Sequence, residues 1–229
     1  MRAFFDPVIL QAGVPLLDTG SPIRPRIDGV TQMITVLGQR IPVSITTEFG
    51  KVDLNAADAD ILSNLFEAAG EGPAEAEEEA NQVINWRTGG VGTQDIRLFR
   101  TAAEITQVPN ITADLYNRIA PAVTVYSGRD RVDESTPPLL ALEAMPAMGR
   151  LSAEAIVHGR MTNQRGASQV GEVVNGQLAP GVGVAGWAFT IEAEFSLGAR
   201  KKHGIAVVRM TGDATQPYFV LWRDEAPEW

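Results

Sequence analysis

Residues 50–62 read "GKVDLNAADADIL". Gly50-Lys51 closes an extended, β-branched stretch, and an Asp and an Asn then lead into a helical pattern. The spacing predicts Asn55 as N-cap, Asp58 and Asp60 in the first turns, and Gly70 as the residue just past the helix end. Ile61, Leu62, Leu65, Phe66 and Ala69 form one apolar stripe at helical period. The phrase returns at residues 131–142 as "RVDESTPPLLAL", where Val132 matches Val52, Asp133 matches Asp53 and Ser135 matches Asn55. Two capped entries into helices, set inside a chain that is β-rich at both ends, point to a helical block inserted between strands.

The flanks read as strands. "TQMITVL" at 31–37 and "RIPVSITT" at 40–47 suit a hairpin turning at Gly38-Gln39, and Pro42 implies an edge strand or a strand start. Near the end, "GWAFTIEAEFSLG" alternates: Trp187, Phe189, Ile191, Ala193 and Phe195 face one side, Thr190, Glu192 and Glu194 the other. "GIAVVRMTG" and "PYFVLWR" follow as strands, and turns at Gly198 and Gly212-Asp213 favour an antiparallel meander.

Between the flanks the pattern is helical. "PAEAEEEANQVINWRTGG" predicts a helix with Ala80, Val83 and Ile84 inward and the glutamates from Glu71 to Glu79 on a solvated face. "TAAEITQV" carries a capping box, Thr101 to Glu104. "VPNITADLYNRIAP" turns at Pro109-Asn110, restarts at Thr112 and stops at Pro121; "TVYSG" is extended. Two short helices then follow, with Ser152 as a cap. "VPNITADLYNRI" and "MPAMGRLSAEAIV" share a proline turn, a hydroxyl cap and an early acid, so the insert reads as two related helix–turn–helix units. The Gly-rich stretch 163–186 reads as a mobile loop.

A sheet must cover its apolar face. The expected fold is therefore α+β: an N-terminal helix packed on an antiparallel sheet, with a large all-α domain inserted between strands. The expected boundaries are 1–50 with 184–229 for the discontinuous α/β domain, 51–162 for the insert and 163–183 for the flexible loop. Phe5, Val8, Ile9, Ala12 and Leu16, near the start, recur at helical spacing. They read either as an ordinary amphipathic helix or as the end of a longer one whose apolar first half precedes this chain.

Composition excludes several functions. The 229 residues carry a net charge of −9 and a pI near 4.8, which opposes binding to phosphate backbones or an anionic membrane. Cysteine is absent, so thiolate catalysis and cysteine-held zinc are excluded. "GVGVAG" at 181–186 precedes a strand, where a dinucleotide motif needs a helix. His158 and His203 have no recognisable nucleophile beside them. Asp53, Asn55, Asp58 and Asp60 resemble the start of a calcium loop, but no Gly holds the sixth place and Asn64 stands where a bidentate Glu belongs. "SGRDRVDES" supplies the remaining metal candidates, Asp130, Asp133 and Glu134; both clusters read more simply as turn and cap chemistry. The helix–turn–helix pieces leave a helix–hairpin–helix DNA-binding module as the alternative function, weakened by Asn110 in place of a glycine and by the acidic surroundings.

Together, "TTEFGKVDLNAAD", "VINWRT", "FRTAAEITQVPNITADLYNRIAPAVTVYSG", "VDESTPPLLALEAMPAM" and "AVVRMTGDATQPYFVLWR" resemble the minor pseudopilin K of the type II secretion system, also called general secretion pathway protein K. The resemblance runs from about residue 30 to the end, apart from the Gly-rich loop. It implies a pilin-like helix and sheet with an inserted helical domain. It also implies a non-enzymatic subunit at the tip of a periplasmic pseudopilus in a Gram-negative bacterium, anchored in the inner membrane by an N-terminal helix absent from this chain. The implied partners are minor pseudopilins I and J, in a heterotrimer contacted through Phe5, Val8, Ile9, Ala12 and Leu16, and secreted protein substrates are a further implied contact. The insert would end a stack of subunits, because an element that blocks the next copy closes a heterologous assembly. Some members bind calcium, so calcium stays open as a cofactor. Two departures stand out: Asn85 replaces the usual Asp of the I-x-W-R region, and the insert is shorter than is typical.

Overall fold

The computed structural model describes residues 6–9, 25–89, 96–133, 136–161, 173–174, 177–178, 183–197, 200–213 and 215–225. The chain divides into two compact units, Met1–Glu48 with Ser168–Trp229, and Phe49–Ala167.

The first unit is built on a five-stranded antiparallel sheet in the order β1(Gln32–Val36), β2(Gln39–Thr47), β7(Ala188–Leu197), β8(Arg200–Met210) and β9(Tyr218–Glu225). Because side chains alternate across a strand, register decides the faces. Val43 pairs with Ala193, Ile45 with Ile191 and Phe189 with Val208; all six are buried on one face. Ser44, Thr46, Thr190 and Glu192 occupy the other, as the alternation predicted for Thr190 and Glu192. Residues 6–9 are helical, with Val8 and Ile9 fully buried and Asp6 accepting a 3.1 Å hydrogen bond from Arg223 of β9. Strand β9 carries one unpaired residue, Leu221, since Val207 faces Trp222 and Val208 faces Val220.

The first hairpin turns one residue earlier than expected. Leu37 and Gly38 are its central residues, at φ 48° and 80°, and Val36 pairs with Gln39. Both central residues must be left-handed in a type I′ turn, the form whose twist matches the flanking strands. Leu37 bears that conformation at an exposed tip. Pro42 sits inside β2, not at an edge: it faces Met33, and pairing with β7 begins only at Val43, so its missing N–H leaves no gap in that ladder.

The second unit is rich in helix but not all-α. Its elements include α1(Ala59–Ala68), α2(Pro73–Thr88), a 3-10 turn at Ala102–Gln107, α3(Ala113–Ile119), α4(Leu139–Glu143) and α5(Arg150–Met161). A two-residue parallel pair, β3(Val52–Asp53) with β4(Val123–Thr124), lies among them. Leu62, Leu65, Phe66, Ala80, Val83, Ile105, Leu115 and Ile119 form the centre of its core. Gly70, at φ 103°, ends α1 in a Schellman motif, with Gly70 N donating to Glu67 O and Glu71 N to Phe66 O. In the stretch read as a mobile loop, β5(Val173–Val174) and β6(Gln177–Leu178) pair antiparallel, and these belong to the first unit.

One glutamate of the supposedly solvated face is not solvated. Glu79 is buried, and its Oε2 has no hydrogen-bond partner. Burial, then the charges of Glu71, Glu75 and Glu78, push its pKa to about 7 against the pull of Arg118, which is itself bonded to Glu71 and Asp114. The folded state therefore holds a proton that the unfolded chain releases near pH 4.5, and stability falls as pH rises from about 4.5 to 7. Glu79→Gln should be more stable than the parent at pH 8 by about 1 kcal/mol, and melt at a higher temperature there, and match it at pH 4. Thermal denaturation followed by circular dichroism at both pH values checks this; equal melting shifts at the two would refute it.

Candidate functional site

The recognisable stretches of the second unit converge on Asp53. Its side chain is buried, and Oδ2 accepts from Gly128 N at 2.6 Å and Ser127 Oγ at 3.0 Å, while Oδ1 accepts from Asn55 N at 2.8 Å. Parallel pairing brings these groups together: Asp53 faces Thr124, and Leu54 N donates to Thr124 O at 2.8 Å. A buried carboxylate is tolerated only when donors surround it, and three are supplied here.

Arg87, from the "VINWRT" helix, reaches the same segment. Its guanidinium donates to Leu54 O at 3.0 Å and Ala57 O at 2.6 Å. Burial lowers its pKa from the usual value, and Asp53 and Asp58 oppose the shift. Asn85, the departure from the family pattern, is an exposed neighbour in this helix and makes none of these contacts.

Asn55 is not the helix cap. Asp58 is, with its carboxylate accepting from Ile61 N at 2.9 Å. The Asn55 carboxamide instead clasps the backbone of Phe99, donating to its O at 2.9 Å and accepting from its N at 2.8 Å. Gly50 answers a second part of the opening pattern. A Cβ there would come within 3.1 Å of the Pro137 backbone, and Asp133 N donates to Phe49 O at 2.8 Å. The two copies of the repeated phrase thus touch, and a side chain at Gly50 would crowd the approach.

The two proline turns share one geometry. Val108-Pro109-Asn110-Ile111 and Met145-Pro146-Ala147-Met148 each close with a hydrogen bond from the fourth N–H to the first carbonyl, at 3.2 and 3.0 Å. Asn110 has φ 69° and Ala147 φ 64°, as the third place of a type II turn demands. The caps differ, however. Thr112 Oγ1 accepts from Leu115 N at 3.0 Å, whereas Gly149 stands at the corresponding place and Ser152 lies inside α5. At 101–104 the expected box does not form: Glu104 accepts from Arg100 N, one residue before the cap, and the Thr101 hydroxyl makes no cap bond.

Val8 and Ile9, placed on a partner interface by the sequence reading, are covered by the chain itself; Phe5, Ala12 and Leu16 lie outside the described residues. The first metal cluster is occupied with the capping and turn bonds just given. In the second, Asp130 is exposed, Asp133 is half-buried and Glu134 lies outside the described residues. Among the described residues no group of three acidic or imidazole side chains is placed to hold a metal. His203 does have a partner, Glu192 Oε1 at 2.6 Å on the exposed face of the first sheet.

No family model matches the chain, and no curated protein does. The structure is similar to a chain of the crystal structure of the GspK-GspI-GspJ complex from the enterotoxigenic Escherichia coli type 2 secretion system. The TM-score is 0.61 at 13% sequence identity, and the match covers 99% of this chain and 95% of that one. At that identity the likeness is one of fold, and it extends over both compact units.

Two substitutions separate the roles of these residues. Asp53→Ala should cost about 3 kcal/mol or more, because it strands three donors and leaves Arg87 without its nearest buried carboxylate, whereas exposed Asp60→Ala should change stability by less than about 0.5 kcal/mol. Urea denaturation measures both, and equal costs would contradict a central role for Asp53. Ala147→Gly should stabilise the chain by about 1 kcal/mol by relieving a left-handed alanine; a loss of stability in the same assay would contradict the type II assignment.

Proposed function

We propose that this protein is a minor pseudopilin of a type II secretion pseudopilus, acting in the position of K. The observation that carries the proposal is the fold likeness to a chain of the GspK-GspI-GspJ complex over nearly the whole of both chains, sheet and helix-rich unit together. A sheet alone would be weaker support, because many unrelated chains build five antiparallel strands. The ordered sequence stretches that meet around Asp53 support the same reading, since they are the stretches in which the resemblance to K resides.

In this reading the role is structural, with no turnover. The protein assembles with pseudopilins I and J in a heterotrimer at the tip of the periplasmic filament and supports protein export across the outer membrane. Residues 49–167 act as the cap: a block of that size on one subunit leaves the next no equivalent surface, and an open heterologous stack ends there. In this reading the protein works in the periplasm, anchored at the inner membrane. Among the described residues no helix is long and apolar enough to cross a membrane. DNA binding gains no support: the hairpin turns lie near Glu78, Asp114 and Glu143, and a net charge of −9 repels phosphate.

Size-exclusion chromatography of this chain mixed with the periplasmic domains of I and J from the same secretion system should give one co-eluting species containing all three. Separate elution of this chain, with I and J still paired, would refute the assignment.

A further inference from the structure

An open cleft of about 580 Å³ lies within the second unit, between α1 and the second proline hairpin. Its wall carries Asn64 and Glu67 from α1, and Glu143, Met145, Met148 and Arg150 from the hairpin. Glu143 is the unusual member. Its side chain is only 10% exposed, and its Oε1 is shut off from solvent without a hydrogen-bond partner. The Arg150 Nε stands 3.8 Å away, too far for a hydrogen bond, and donates instead to Glu154 at 2.9 Å. A buried carboxylate oxygen without a donor is costly, so the cleft is built for a donor that the chain does not itself supply.

The rest of the wall describes that donor. Glu67 adds a second, exposed carboxylate. Asn64 spends its amide nitrogen on Ala144 O at 3.2 Å, which leaves its amide oxygen as an acceptor. Met145, Met148 and Ala68 offer an apolar, adaptable lining between these acceptors. Acceptors set beside apolar side chains in an open cleft match a cation on a flexible hydrocarbon stem. The hairpin is also trimmed on this side. Where the first hairpin has Asn110 bonded to Glu78 and Thr112 as cap, the second has Ala147 and Gly149, and a Cβ at Gly149 would meet no atom within 4 Å.

We propose that this cleft binds a lysine side chain presented by another polypeptide, its ammonium displacing Arg150 from Glu143 and its stem lying along Met145 and Met148. An ammonium brings three donors in place of one distant guanidinium nitrogen. Arg150 retains Glu154 when displaced. The inference does not depend on the pseudopilin reading, since it follows from the cleft alone.

Methyl NMR of the full chain labelled at methionine tests it, with the peptide acetyl-Ala-Lys-Ala-amide as probe, its norleucine counterpart as control and n-butylammonium as a free amine. The lysine peptide should shift the Met145 and Met148 methyls saturably, with a Kd on the order of 1 mM, the range of a single anchoring side chain. Glu143→Gln should weaken binding about tenfold. Arg150→Ala, at an exposed site that will not unfold the chain, should tighten it about threefold. The proposal fails if the norleucine peptide binds equally, if neither methyl shifts, or if Arg150→Ala weakens binding or leaves it unchanged. Binding of n-butylammonium as tight as that of the peptide would overturn the polypeptide source.

Discussion

A carboxylate taken out of water organises the second unit. Asp53 can stay buried only because the backbone at Gly128, the Ser127 hydroxyl and the amide of Asn55 all donate to it. Those groups come from positions separated by some seventy residues of chain, and a parallel ladder of only two residue pairs holds them in place. So short a ladder has little stability of its own. The carboxylate, Arg87 on the Leu54 and Ala57 carbonyls, and Asn55 on Phe99 lock it from three sides. Each tie satisfies polar groups that would otherwise be stranded when the apolar core of α1, α2 and α3 closes. Core and polar network therefore form together.

The helical hairpins show how one backbone device can be filled in two ways. Both turns place a left-handed residue after proline and close with the same hydrogen bond. The first is completed by side chains, with Thr112 as cap and Asn110 bonded to Glu78. The second forgoes both, and the space that those side chains would take is open at Gly149. A strained alanine and a helix start without a side-chain cap weaken a hairpin, and here they coincide with a cleft wall that contains a buried carboxylate oxygen lacking a donor.

The legible parts of the chain were those governed by period and by backbone conformation. Alternation in β7 assigned its faces, the stripe from Ile61 to Phe66 gave the buried side of α1, and Gly70 marked its end; each signal arises within a few residues and survives any tertiary context. Assignments of side-chain hydrogen bonds fared worse. Asn55, Thr101 and Ser152 all have the chemistry of a cap, yet Asn55 finds a better partner 44 residues away and α5 starts before Ser152. Glu79 looked like one more charge in an acidic run, although with Ala76, Ala80 and Val83 it falls at i, i+3, i+4 and i+7 on the buried stripe, a local signal that the run of glutamates obscured.

By itself, then, the sequence determined most of the helices and the long strands, the two faces of β7, and a change of character near residues 50 and 162. These are consequences of apolar spacing and of φ preferences, which act along the chain. Only the tertiary structure decided that Asp53 is a buried junction, that Gly50 lies tight against the Pro137 backbone, and that Glu79 and Glu143 are shielded from water. Burial and long-range hydrogen bonds depend on what arrives from elsewhere in the chain, and a residue's neighbours in sequence carry no record of it.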